Sequence, residues 1–186
     1  MVPLLSLWLP ILVSAVFVFI VSSFIHMVLP YHHKDYRKLP NEDESLAALR
    51  KLAIPPGDYS VPCAGGMKEM KDPSFVEKWK QGPIVFMTVL TPQQAGMGAS
   101  LIGWFIFNLV IGLFAAYIAG RALQSGAHYL DVFRFAGATT FIGYAAALWQ
   151  NTIWYKRSIF TTLRSTFDGL IYAFVTAGTF GWLWPK

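Results

Sequence analysis

Three of the four histidines, His26, His32 and His33, stand in one short stretch, with Asp35 and Glu42 close behind them. Imidazole and carboxylate are suitable ligands for a divalent transition metal, so this is the first place to look for chemistry. The spacing matches neither an HExxH helix nor the paired histidine boxes of membrane di-iron enzymes, and His128 is remote in the chain. Haem would take two histidines facing each other inside a bilayer, and only His26 comes near one. We therefore read "YHHKDYRK" as a solvated, basic interfacial stretch in contact with anionic lipid. No metal site or other cofactor is assigned, and His26, His32 and His33 are the ligands that a metal would use.

Cys63, in "VPCAGGM", is the single cysteine, so the chain has no internal disulfide and no cysteine-built zinc site. Without a neighbouring histidine or second thiol to activate it, it reads as a structural or incidental thiol, and no catalytic residue is assigned. "CAGGM" also lacks the Lys-Ser/Thr ending of a phosphate-binding loop. The remaining polar candidates lie in apolar surroundings. Asn108 falls midway along an uncharged run, where an unpaired amide is costly, and should bond to a neighbouring helix through Thr139, Thr140 or Tyr144. Asp168 follows Arg164 at helical spacing, which suggests an i,i+4 pair that anchors or packs one end of a helix. Ionisable groups inside membrane spans point to transport pathways, so Asn108, Asp168 and Arg164 are also the residues a pathway would use.

The elements that must position these groups are membrane helices. The composition is 55% hydrophobic and 16% aromatic with only 13% charged residues, too apolar for a soluble globule. Val2 to His33 carries no Lys, Arg, Asp or Glu, more than the ~20 residues a helix needs to cross hydrocarbon. Its apolar core is too long for a secretory signal, and no basic segment precedes it, so it reads as an uncleaved anchor. Four spans are expected, at residues 4–29, 101–120, 132–155 and 167–184. Tryptophans near their ends suit the headgroup level. Lys34, Arg37, Lys38, Lys78, Lys80, Lys156, Arg157 and Arg164 flank one side, against Arg121, Arg134 and Lys186 on the other. The positive-inside rule then puts the first and third loops in the cytoplasm and both termini outside it. The net charge of +5 is accounted for by this topology, and no nucleic-acid partner is expected.

The first loop, residues 30–100, is the one sizeable aqueous segment. Asn41 followed by Glu44 starts a helix with Leu46, Leu49 and Leu52 on a face that should lie on something apolar. Asp72-Pro73 starts a second, with Phe75, Val76 and Trp79 as its buried side and Gly82-Pro83 as its stop. Ile84 to Leu90 is too short to cross a membrane as a helix; its β-branched and aromatic residues suit a strand paired with "DYSV". The rival is a re-entrant hairpin over residues 83–99, tolerable only if buried in protein or lining a cavity.

"PPGDYSVP", "KQGP", "FDGLIY" and the terminal "WLWP" resemble segments of a family of small bacterial multi-pass inner-membrane proteins of no assigned function. The resemblance implies the bacterial inner membrane and nothing about substrate, cofactor or catalysis. Small residues recur every four positions at Gly112, Ala116 and Gly120, at Thr139, Gly143 and Ala147, and at Ala173, Ala177 and Gly181, which permits close helix approach within or between chains. The expected architecture is a membrane all-α four-helix bundle with a small α+β cytoplasmic cap. The expected role is that of a structural, accessory or assembly component that binds lipids, another membrane protein or a second copy of itself. A small-solute or ion transporter or channel is the alternative, and an enzyme with a site on the first loop is third.

Overall fold

The computed structural model describes residues 1–186, which divide into two units: residues 1–37 with 98–186, and residues 38–97. In the first unit a short 3-10 turn, Leu4–Leu7, leads into α1, Trp8–Val28, and α5 spans Met97–Ala122. The segments Leu4–Val28 and Met97–Ala122 are long and apolar enough to cross a membrane. The unit continues with α6 (Tyr129–Ala145), a 3-10 turn over Ala146–Leu148, α7 (Trp149–Tyr155) and α8 (Ile159–Trp182). The helix that holds Asp168 therefore starts well before the uncharged run that begins at Gly169. Ile159, Phe160 and Arg164 are all compatible with helix, and Asp168 lies in the helix interior rather than at its first turn.

The packing follows from residue size. Along α8 the buried positions Asp168, Gly169, Tyr172, Ala173, Thr176, Ala177 and Phe180 recur at three- and four-residue spacing, which makes a face against α1 and α6. A Cβ on Gly137 of α6 would stand 3.2 Å from Ala177, and one on Gly181 would enter the Tyr129 ring, so the small residues are consumed by contacts within the chain. Likewise α5 meets the N-terminal segment at glycines: Gly112 faces Ile11, and the Gly120 carbonyl accepts a 2.8 Å bond from the Val2 amide. One core cluster joins Val2, Leu7, Ala115, Ala119, Val132, Phe180 and Trp184. A second, built on Val18, Ile25, Tyr144 and Tyr172 with Trp104 against it, occupies the part of the bundle toward the C-terminal end of α1.

The second unit contains α2 (Glu42–Leu52), α3 (Met67–Met70), α4 (Pro73–Gln81) and a two-stranded antiparallel sheet of β1 (Gly57–Val61) and β2 (Val85–Val89). Tyr59 stands opposite Met87 and Val61 opposite Val85, so the "PIVFMTVL" segment is a strand paired with "DYSV" and not a re-entrant hairpin. Asp72 caps α4 by accepting a 2.8 Å bond from the Ser74 amide, with Pro73 at the first helical position. Gly82 ends α4 at a φ of 60°, a conformation glycine adopts without a Cβ clash. Asn41 precedes α2, but in a left-handed conformation and without a side-chain cap bond. Leu46, Leu49 and Leu52 remain 41%, 44% and 67% exposed, so the expected apolar cover over that face is not present in the chain.

Candidate functional site

Leu29 ends α1 in an extended conformation, as the residue before a proline must, and Pro30 opens a 3-10 turn over Pro30–Lys34. The turn brings Tyr31 and His32 back over the end of the bundle. The His26 and His32 rings come to 4.4 Å between centroids, and those of Tyr31 and His32 to 4.2 Å. From α8, Asp168 enters the same space: its Oδ2 is 2.8 Å from His32 Nε2, and its Oδ1 accepts the Tyr31 hydroxyl proton. One ligating atom each from His26, His32 and Asp168 falls within 4.8 Å of the others.

A second carboxylate fixes the histidine. Asp35 Oδ2 lies 2.7 Å from His32 Nδ1, and its Oδ1 accepts a 2.6 Å bond from Arg164 Nη1. Burial opposes the Asp35 charge, but the bonds from His32 and Arg164 outweigh it and hold the carboxyl below the usual aspartate range. An ionised carboxylate only accepts, so Nδ1 of His32 carries the proton toward Asp35. The opposite nitrogen, Nε2, is buried and has no hydrogen-bond partner. Its short approach to Asp168 is an ion-pair distance that lies off hydrogen-bonding geometry, so the nitrogen faces the carboxylate without a bond. Burial and the adjacent Asp168 push the Tyr31 phenol above its ordinary range, which keeps it a proton donor to that carboxylate.

The surroundings are graded. Asp168 is buried, His32 and Asp35 have side chains 11% and 10% exposed, and His26 lies open at one edge. Beneath them the Tyr172 hydroxyl comes 3.4 Å from His26 Nε2, and Trp104 donates to Ser22 Oγ at 2.8 Å. The "YHHKDYRK" stretch is thus not uniformly solvated: Tyr31, His32 and Asp35 turn inward while His33, Lys34, Tyr36 and Arg37 turn outward. The outward set lines a pocket of about 330 Å³ together with Ser158, Phe160 and Arg164.

Of the residues singled out by sequence, His26, His32, Asp35 and Asp168 meet in this centre. His33 does not join them, and Glu42 pairs with Lys38 at 3.0 Å. His128 caps α6 through Nδ1, which accepts from the Leu130 amide. Arg164 reaches Asp35 rather than Asp168, because the 3-10 turn places Asp35 within its reach and Asp168 points into the bundle. Tyr31 and Tyr172 carried no signal in the sequence beyond their closeness to the histidines and to Asp168.

Asn108 lies deeper, on α5, where its Oδ1 accepts from Tyr144 Oη at 3.0 Å and its Nδ2 has no partner. Exchange for Leu removes one modest bond together with one unsatisfied donor. Asn108→Leu should therefore change stability by no more than about 1 kcal/mol, read as the thermal midpoint in mild detergent. A loss of several kcal/mol would show that the amide has a partner beyond Tyr144. No protein-family model, no curated protein and no solved structure matches this chain.

Proposed function

We propose that the chain is a multi-pass protein of the bacterial cytoplasmic membrane that crosses the bilayer four times and serves as an accessory component in contact with lipid and with another membrane protein. The observation that carries this reading is an inverted distribution of polarity in the helical unit. Ser14, Ser22, Asn108, Thr140 and Thr176 are buried, while Ile20, Phe24, Ile102, Phe114, Ile142 and Phe174 are each more than half exposed. Water would disfavour that surface; hydrocarbon matches it, and inside the unit Ser14, Thr140 and Thr176 bond to carbonyls of their own helices while Trp104–Ser22 and Tyr144–Asn108 bond across helices. The surplus of basic residues beside the first and third loops supports placing the His–Asp centre at the cytoplasmic face. There the pocket lined by His33, Lys34, Arg37 and Arg164 would meet anionic headgroups.

An apolar groove of about 380 Å³, lined by Ile118, Phe135, Ala138, Thr139 and Ile142 with Arg134 at its margin, supports contact with a neighbouring helix or acyl chain. The buried centre favours a second reading, that of a binding protein, since ionisable groups held away from water are costly and a passive bundle has no need of them.

The topology is tested with a membrane-impermeant thiol reagent on intact cells. A cysteine introduced by Gly126→Cys in a Cys63→Ser background should be labelled, and Cys63 in the native chain should not. The reverse pattern would invert the bundle. The accessory role is tested by Ala138→Trp, which fills the groove and should abolish co-purification of a membrane partner at unchanged abundance. Retention of every co-purifying protein would remove the groove from that role.

A further inference from the structure

The His–Asp centre is more specific than a buried ion-pair network needs to be. His32 is held by Asp35 at Nδ1, which leaves its other nitrogen, buried and without a hydrogen-bond partner, aimed at a carboxylate. This is how metal-ligating histidines are prepared: a second carboxylate orients the ring and fixes the tautomer so that the far nitrogen presents a lone pair. Here the second carboxylate is itself anchored by Arg164. Asp168 is prepared in the same way, with Oδ1 engaged by the Tyr31 hydroxyl and Oδ2 turned to His32.

We propose that Nε2 of His32, one ring nitrogen of His26 and the Asp168 carboxylate form a three-ligand site for a divalent first-row transition metal. The inference rests on the binding-protein reading above and does not depend on the direction in which the chain crosses the membrane. Two imidazoles with one carboxylate select zinc, ferrous iron or their neighbours over magnesium and calcium, which take oxygen ligands. Three protein ligands leave at least one coordination position for water or an exogenous ligand, and His26, at the open edge, marks the side from which it would enter.

The geometry needs only small adjustments. With bonds of about 2.0–2.1 Å, tetrahedral donors stand about 3.3 Å apart. His32 Nε2 and Asp168 Oδ2, now 2.8 Å apart, must separate by a few tenths of an ångström, and His26, in a set that spans 4.8 Å, must close inward. A cation between them would also supply the partner that Nε2 lacks and neutralise the buried Asp168. Asp35 and Tyr31 are positioning residues that touch the ligands and not the metal, and Arg164 acts one step further out by holding Asp35.

The test is titration of the detergent-purified, chelator-stripped full chain with Zn²⁺ against a chromophoric competitor, and with Co²⁺ for its visible absorption. The native chain should take up one equivalent, with a Co²⁺ spectrum of low coordination number. His26→Gln, His32→Gln and Asp168→Asn should each weaken binding by about 100-fold or more, and Asp35→Asn by about 10-fold, while His33→Gln and His128→Gln leave it unchanged. Helical circular dichroism identifies any variant that fails to fold. If Asp168→Asn does, the histidine pair against the His33 and His128 controls still decides. No stoichiometric uptake by the native chain overturns the proposal, as does uptake that survives the combined His26→Gln and His32→Gln changes. A chain labelled at residue 126 as expected but taking up no metal would overturn this inference alone; uptake with reversed labelling would overturn only the orientation.

Discussion

Arg164→Met is expected to destabilise the helical unit by about 3 kcal/mol, because it removes the cation from a largely buried pair and leaves the Asp35 carboxylate with hydrogen bonds, from His32 Nδ1 among others, in place of a full counter-charge. The partial exposure of Arg164, 27% at the side chain, keeps the value at the lower end of the range for broken buried pairs. Asp35→Asn alone should cost less, since the amide oxygen still accepts from one of the two donors, Arg164 or His32, and the cation that loses its counter-charge is Arg164, which is partly open to solvent. The double variant should recover part of the Arg164→Met loss, and the difference isolates the pair. The pH dependence carries a definite sign. The Asp35 carboxyl is depressed in the folded chain, so its contribution is fully present above the ordinary aspartate value near 3.9 and is lost as pH falls through the lower folded value. Without Arg164 that depression shrinks, and the stability gap between native and Arg164→Met protein should narrow as pH falls below about 4. A gap that is constant from pH 7 to pH 3 would show that Arg164 acts through packing and not through the Asp35 charge.

The same residues show which parts of this molecule local sequence could specify. Asp72-Pro73 and Gly82 bound α4 through chemistry contained in a few residues, a cap and a left-handed stop, and are readable without the rest of the chain. The strand at Val85–Val89 was readable, against the rival of a re-entrant hairpin, because its length and β-branched content suit a strand and "DYSV" offered an extended segment to pair with. The His–Asp centre was readable only as a list of parts. Tyr31 and Asp168 are 137 positions apart, and Arg164 and Asp35 are 129 apart. Their meeting depends on a proline turn that folds "YHHKD" back over α8 and on a helix whose start lay hidden behind a charged residue. Helical spacing alone joined Arg164 to Asp168, since i,i+4 is what a single helix permits; the tertiary turn supplied Asp35 as a better placed acceptor. For the same reason "YHHKDYRK" reads as uniformly solvated: the 3-10 turn and its exit sort Tyr31, His32 and Asp35 inward from His33, Lys34, Tyr36 and Arg37 outward, for which composition gives no signal.

Gly169→Leu is the second change from which a large effect is expected, because this glycine is where α8 lies against the end of α6. A Cβ there would stand 3.0 Å from the Ala145 Cβ, 3.3 Å from the Tyr144 Cβ and 3.5 Å from the Tyr144 carbonyl carbon. Ala145 and Tyr144 are buried, and two of the three obstructing atoms are bonded directly to backbone, so no flexible side chain can swing away. Relief requires the helices themselves to part. Gly169→Ala should cost about 1 kcal/mol and Gly169→Leu about 3 kcal/mol, as overpacking of a closed interface does. The contrast is Gly103 on α5, where a Cβ meets nothing within 4 Å. Gly103→Ala should be neutral, or should stabilise by up to about 1 kcal/mol through helix propensity. Ala145→Gly in the Gly169→Ala background should restore most of the loss, since it vacates the nearest contact; an unrelieved loss would assign the cost to the neighbouring Tyr144 backbone. Because Gly169 adjoins Asp168, parting α8 from α6 also moves the Asp168 carboxylate relative to His32 and Tyr31, whose 3-10 turn is tied to α1. The Leu variant should therefore weaken Zn²⁺ uptake even where it remains helical, whereas Gly103→Ala should leave uptake at the native level. That pairing separates a centre dependent on close helix packing from one carried by the proline turn alone.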